Sequence, residues 1–467
     1  MIRKRSLGAA ILCLASAALP CLAAAPASSM PSLPITTFSL PNGMKVVLSE
    51  DHAFPVIAYA ITYDVGARRE VPGRSGFAHL FEHMMYQGSA NVGKGEYFKH
   101  VESNGGVFNG STHVDYTNYY AELPAHRLEL ALWLESDRMR ALAINAENLK
   151  NQQEAVKEEK RLGIDNQPYA GALVMDLSDI AFKNFANRHS TIGSFDDLNA
   201  ASVEDVAGFF KTYYAPNNAT LVLTGDLDSA EAKKLVTKYF GSIARQPEPA
   251  PVETAEPAQT TEVRKVVKDQ QAPAPGIVVA WRGPERGTRD YYALAILEHV
   301  LYSGTSSRLY QGLVKGKEVV VSLQGDMGFP NGNYLDYRSP ALVGVFAIYK
   351  PSIDAKGLVA TIQEEVDRIV KEGVPAAELD RAKVQFRSDA VRTLTGALRR
   401  AVNLGVYAVI DHDASRLTGD FPQFQQVTSA EIQQAASRFL VPGNRVVVEI
   451  EPAPEAAPPA ATAGEGK

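Results

Sequence analysis

Two histidines four residues apart, with a glutamate just ahead of the second, carry the most telling chemistry in this chain. His79-Leu80-Phe81-Glu82-His83 sits among Phe77, Met84 and Met85, and the apolar residues recur at near-helical spacing, which predicts a helix over Ser75 to Tyr86. Positions i and i+4 of a helix project from one face a turn apart, so His79 and His83 can converge on one metal ion. Glu82, at i+3 from His79, shares that face without having to ligate, where a general base beside a metal must stand. A catalytic zinc site needs a third protein ligand and one open position. A second helical stretch, Glu154 to Arg161, offers Glu154, Glu158 and Glu159. Interleaved with Lys157, Lys160 and Arg161, these three also look like a solvated helix face, and the residues alone do not choose among them.

His-x-x-Glu-His is the inverted order of a known zinc-protease helix. Followed by the helical Val156-Lys157-Glu158-Glu159, it resembles the insulinase/pitrilysin family of zinc metallopeptidases. The resemblance implies that the glutamate closing Val-x-x-Glu is the third ligand; here that is Glu159, 76 residues beyond His83. Gly105 to Thr112 with Asp115 to Tyr120 is similar to the family's substrate-side strand, and Thr191-Ile192-Gly193-Ser194 and Tyr214 to Leu221 extend the match over roughly residues 35 to 450. The implied activity is peptide-bond hydrolysis with one Zn2+ per chain on His79, His83 and Glu159, and Glu82 as catalytic base. In the family, substrates add as a strand to a sheet edge. Asn109, Ser111 and Thr112 occupy the matching segment, with Asn109 the first candidate to touch the substrate backbone.

These residues need elements to hold them. Thr37 to Leu40 and Lys45 to Leu48 flank Asn42-Gly43 as a hairpin, and Val56 to Val65 alternates as a strand ahead of the metal helix. Residues 126–162 are mostly helical, with Trp133 in the core, and 220–224 return to strand. The fold class is therefore α+β, a largely antiparallel sheet with helices on one side. Glu82 to Ser89 is echoed by Glu298 to Thr305, which implies two duplicated domains. Ala295 stands where the first copy has His79, so the second copy lacks a metal site and His299 is structural. The expected division is a signal peptide over 1–25, a zinc-binding domain over 33–245, a Pro/Ala/Glu-rich linker over 246–262, a homologous domain over 263–452 and a disordered tail over 453–467.

Arg3-Lys4-Arg5, the apolar run Leu7 to Leu22 and Ala23-Ala24-Ala25 have the order of a cleaved secretory leader, which places the mature chain in the periplasm or outside the cell. Both cysteines, Cys13 and Cys21, fall within it, so cleavage leaves no thiol for disulfide or nucleophilic chemistry. Loss of the three basic residues moves the formal charge from −6 to −9, which argues against a nucleic-acid partner, and no later stretch has the length of a membrane span. Active single-chain relatives carry an arginine and a tyrosine in the second domain. Val314 and Val321 stand at those positions here and offer no hydrogen-bond donor. The resemblance thus implies a heterodimer in which this chain is the zinc subunit and a homologous partner supplies the pair. A homodimer in which Lys315 or Lys317 substitutes is the fallback. A catalytically silent assembly or peptide-binding subunit is the alternative function.

Overall fold

The computed structural model describes residues 30–330 and 332–453; the expected leader with its cysteines, and the tail beyond 453, lie outside the described residues. The first sheet contains β1 (Thr36–Ser39), β2 (Lys45–Glu50), β3 (Val56–Tyr63), β4 (Val107–Thr112), β5 (Thr117–Pro124) and β6 (Ala219–Gly225), in the order β1-β2-β6-β3-β5-β4. The second contains β7 (Val263–Asp269), β8 (Gly276–Arg282), β9 (Val320–Phe329), β10 (Leu342–Tyr349) and β11 (Arg445–Pro452), in the order β7-β11-β8-β10-β9. Without β1 the two orders correspond strand for strand. Each has one parallel pair, β2 with β6 and β7 with β11, and is otherwise antiparallel. The chain is an α+β duplication.

Four helices of the first domain matter for the site: α1 (Phe77–Met84), α2 (Glu96–Glu102), α3 (Leu128–Arg140) and α4 (Ala146–Lys160). The apolar face of α1 buries Phe77, Leu80, Phe81 and Met84 against the sheet and its neighbours, and Trp133 of α3 packs half-buried at the margin of that core. In the second domain the helix Arg289–Leu301 follows β8 as α1 follows β3. It buries Ala295 in the apolar core, and His299 packs edge-on to Phe386 at 5.9 Å.

Helices on one side only is not what forms. The face of the first sheet away from α1 is covered by the helix Ala397–Ile410 of the second domain, whose Ala401, Leu404 and Ala408 lie on Ala58, Ala60 and Val222. In return, Tyr169, Ala172, Leu177 and Phe182 of the first domain cover Val278, Ala280 and Phe346 of the second sheet. Every residue of β6 is buried, as a strand covered on both faces requires. The two domains therefore complete each other's cores. Arg68 adds a polar tie: it is buried, pairs with Asp115 at 3.1 Å and donates to the Pro340 carbonyl at 2.9 Å.

The segment between the sheets forms no helix or strand from 246 to 262, yet it is docked. The Glu256 carboxylate accepts the Lys183 and Asn184 backbone N–H groups at 2.8 and 3.0 Å.

The reciprocal cover predicts joint unfolding. The chain's two tryptophans, Trp133 and Trp281, lie one in each domain, so Trp133→Phe and Trp281→Phe variants report the domains separately by fluorescence in urea. One shared midpoint is expected. Leu404→Ala, which empties a fully buried contact, should lower both midpoints together by about 2–5 kcal/mol of stability.

Candidate active site

The metal-motif helix starts later than its periodicity suggests, at Phe77, because Gly76 takes a left-handed φ of 82° and ends the preceding loop. No side chain caps it locally. The cap comes from elsewhere: the fully buried Glu70 carboxylate accepts the Gly76 N–H at 2.8 Å and the Ala78 N–H at 2.7 Å, and His189 Nε2 donates to it at 2.9 Å. A carboxylate at this end also suits the helix dipole. His189 is itself fixed by donating Nδ1–H to the Phe185 carbonyl at 2.6 Å and by stacking on the Phe185 ring. Beside them Gly193, at φ 75°, packs backbone to backbone with Gly76. A methyl on Gly193 would meet the Ser75 carbonyl at 2.4 Å, so the Thr191-Ile192-Gly193-Ser194 motif marks a contact too close for any side chain. Asp197 completes the clamp by accepting the Ser75 N–H at 2.9 Å.

α4 packs across α1 and brings one of the three candidate acids to the histidines. Glu154 pairs with Lys150 and Lys157, and Glu158 with Arg161, both on the solvent side. Glu159 Oε2 lies 3.2 Å from His83 Nε2 and 3.6 Å from His79 Nε2. Ligands at about 2.0–2.2 Å around a tetrahedral zinc stand about 3.4 Å apart, so this donor set of two imidazoles and one carboxylate fits the ion. The three ligand atoms all lie within 4.8 Å of one another. Gln152, one helical face-repeat before Glu159, accepts from His83 Nδ1 at 3.3 Å, which leaves Nε2 as the free ligand atom. Burial and the neighbouring His83 push His79 down to about 4, so it is neutral, as a ligand has to be. Burial opposes charge on His83 as well, but the hydrogen bond and charge of Glu159, with the Glu82 charge and the Gln152 hydrogen bond, together outweigh it and raise its pKa. The same hydrogen bond lowers Glu159.

Glu82 points past these three toward β4. Its Oε2 accepts the Thr112 hydroxyl at 2.6 Å, and its Oε1 lies where a methyl on Gly110 would be 3.0 Å away. Burial raises its pKa, against the Thr112 hydrogen bond, toward the range useful to a general base. β4 is the open edge of its sheet. His113 N–H donates to the Tyr116 carbonyl, and this fixes the alternation: 109 and 111 bond inward to β5, while 108, 110 and 112 present their backbone groups outward. The hydroxyls of Ser111 and Thr112 are committed to Asn118 and Glu82, so what these two offer a peptide is backbone. Asn109 is exposed, and its side-chain oxygen accepts the outward Gly110 N–H at 2.9 Å.

Comparison with known proteins matches residues 45–194 to the family model "Insulinase (Peptidase family M16)" and residues 200–386 to "Peptidase M16 inactive domain". The chain belongs to the M16 peptidase family. It is 27% identical over 420 residues, 89% of this chain and 92% of the relative, to the zinc protease PqqE of Helicobacter pylori. It is 23% identical over 433 residues, 91% of this chain and 79% of the relative, to a probable mitochondrial-processing peptidase subunit beta of Arabidopsis thaliana. The crystal structure of a protease from Helicobacter pylori superposes with a TM-score of 0.84 at 26% identity, covering 90% of this chain and all of that one. As an M16 chain it places its His-x-x-Glu-His helix in the peptidase model and its second sheet largely in the inactive-domain model.

Glu70, His189, Gln152 and the role of Thr112 were not singled out from the sequence. Gln152 alone left a signal, since it shares a helix face with Glu159 at a separation of seven. The clamp predicts a pH effect. Burial opposes charge on His189, but Glu70 outweighs it and holds the pKa above the ordinary 6.5. The folded chain therefore binds this proton more tightly than the unfolded one, and the stability it contributes is present below pH 6.5 and lost as pH rises through the raised value. Urea midpoints measured from pH 6 to 9 should fall across that window in the parent, and His189→Gln should flatten the slope.

Proposed function

We propose that this chain is an exported zinc endopeptidase that cleaves peptides or unfolded segments, and that it works as the zinc subunit of a heterodimer. The convergence of His79 Nε2, His83 Nε2 and Glu159 Oε2, with Glu82 beside them but not among them, carries the reading. A zinc ion held by these three would supply Lewis acidity, acidifying water and polarising a carbonyl. The chain's own groups do the rest. The outward backbone groups of Phe108, Gly110 and Thr112 pair with an extended peptide and bring its scissile bond next to Glu82. Glu82, held by Thr112, takes the proton of the attacking water on a carboxylate oxygen and passes it to the departing amine nitrogen. Gly110 has no side chain to separate the peptide from that carboxylate.

Support for a partner comes from the second domain. Val314 is half-buried in the short π-helix Tyr310–Gly316, and Val321 is 64% exposed on β9 at the free edge of its sheet; neither offers a donor to a substrate carbonyl. Lys315 and Lys317 nearby are exposed. The similarity to a processing-peptidase chain named as a subunit is in keeping with shared work. Export rests on the leader-like first 25 residues, and among the described residues no helix is long and apolar enough to cross a membrane. The same two valines are what favour the second reading, a silent peptide-binding subunit.

Glu82→Gln should lower peptide turnover by about 10²- to 10⁴-fold while the protein still retains one metal per chain by elemental analysis. His79→Ala should lose both metal and activity. Unimpaired turnover in Glu82→Gln excludes the mechanism. Peptidase assays of this chain alone, and mixed with a homologous chain bearing the arginine–tyrosine pair, should show substantial activity only in the mixture. Full activity alone removes the heterodimer, and chelator-insensitive inactivity of both favours the silent subunit.

A further inference from the structure

At the seam between the domains, a pocket of about 220 Å³ begins where the catalytic edge strand ends. One wall is Ser111 to Val114, so the pocket shares Thr112 with Glu82. The opposite wall is Phe329, Pro340, Ala341 and Leu342 of the second domain, and Ser178 and Phe182 close a third side. At ~30 Å³ per water, the space equals about seven waters. That is enough for one large side chain and below the roughly 300–1,000 Å³ of sites for separate small ligands. The two rim arginines are already engaged: Arg68 and Arg338 both face Asp115, at 3.1 and 3.6 Å. Burial also works against charge on His113 and Asp336, pushing the first down to about 4 and the second up to about 6. Such a pocket favours a neutral, apolar occupant.

We infer that this pocket receives a large apolar side chain of the peptide lying along β4, within the three residues that precede the scissile bond, and so sets a sequence preference. The inference rests on the peptidase reading for its geometry. Gly110 and Thr112 flank Glu82, and the pocket wall begins at Ser111 and Thr112 and continues through His113 and Val114, where β4 ends and the chain bends toward β5. Antiparallel addition, the more stable pairing, runs the peptide opposite to β4 and carries its N-terminal side past Thr112 toward the second domain. Phe182 and Phe329 then bury the side chain, and Ser178 and Ala341 leave the space for it.

Peptides carrying Phe, Leu, Ala or Asp at each of the three positions before the cleaved bond test this, with the chain in whichever assembly is active. Phe or Leu at one of those positions should raise kcat/KM about 10- to 100-fold over Ala, with Asp lower still. Ser178→Trp and Ala341→Phe, which fill the pocket from opposite walls, should bring the Phe-to-Ala ratio toward one; thermal melts identify which variants remain folded. In parallel, fluorescence anisotropy with the zinc-loaded Glu82→Gln chain should show the Phe peptide binding more tightly than the Ala peptide by a similar factor. Selective binding without any hydrolysis by the parent, either alone or mixed with a homologous chain bearing the arginine–tyrosine pair, sustains the pocket and overturns the peptidase reading. Cleavage without preference at these positions overturns the pocket, and so does a preference unchanged in a folded filling variant.

Discussion

An eight-residue helix is far too short to be stable in water by itself, and α1 has no capping side chain of its own. Its position is imposed from outside. Glu70 holds its first turn through two backbone N–H groups, His189 holds Glu70, and Gly193 presses against Gly76 where nothing larger than hydrogen fits. Two imidazoles and a carboxyl group separated by a single turn inherit whatever rotation that clamp sets. A small rotation of α1 would carry all three away from Glu159 and Thr112 together.

The other half of the constraint is α4. Beyond Glu159 the chain turns through residues 161–176 and lays Tyr169, Ala172, Leu177 and Phe182 on the second sheet. The carboxylate that meets the histidines thus sits on a helix whose continuation is buried in the other domain. The helix Ala397–Ile410 returns the arrangement by covering the back of β3 and β6. The second domain has Ala295 where the first has His79, but its architecture does structural service for the half that carries the His79, His83 and Glu159 cluster. It also supplies one wall of the pocket at the end of β4.

Much of this is legible in the amino-acid sequence. The spacing of His79, Glu82 and His83 on an apolar-patterned helix specifies their shared face, and the echo at Glu298-His299 anticipates the second sheet, whose strand order repeats the first. Glu70 leaves no signal because a buried cap seven residues before the first residue of the helix follows no period. His189 is as remote from Glu70 in sequence as it is close in space. Helices on one side is the arrangement expected of the sheet, and helices on both sides form, because an apolar run does not say whether its second face meets solvent or another domain. The segment 246–262 has a linker's composition, yet Glu256 finds backbone N–H groups only once the fold places Lys183 and Asn184 nearby.

What the sequence determined by itself is local: which residues have the right donor atoms, and which share a helix face, since both follow from residue type and a repeat of 3.6. Which of Glu154, Glu158 and Glu159 meets the histidines was left to resemblance when judged by residues alone, and tertiary packing decides it by setting Glu159 against His79 and His83 while lysines and an arginine hold the other two. The partners of Glu82 and of α1's first turn were likewise decided only by the fold. Contacts between distant segments depend on how whole faces pack together, and no short-range period in the chain encodes that.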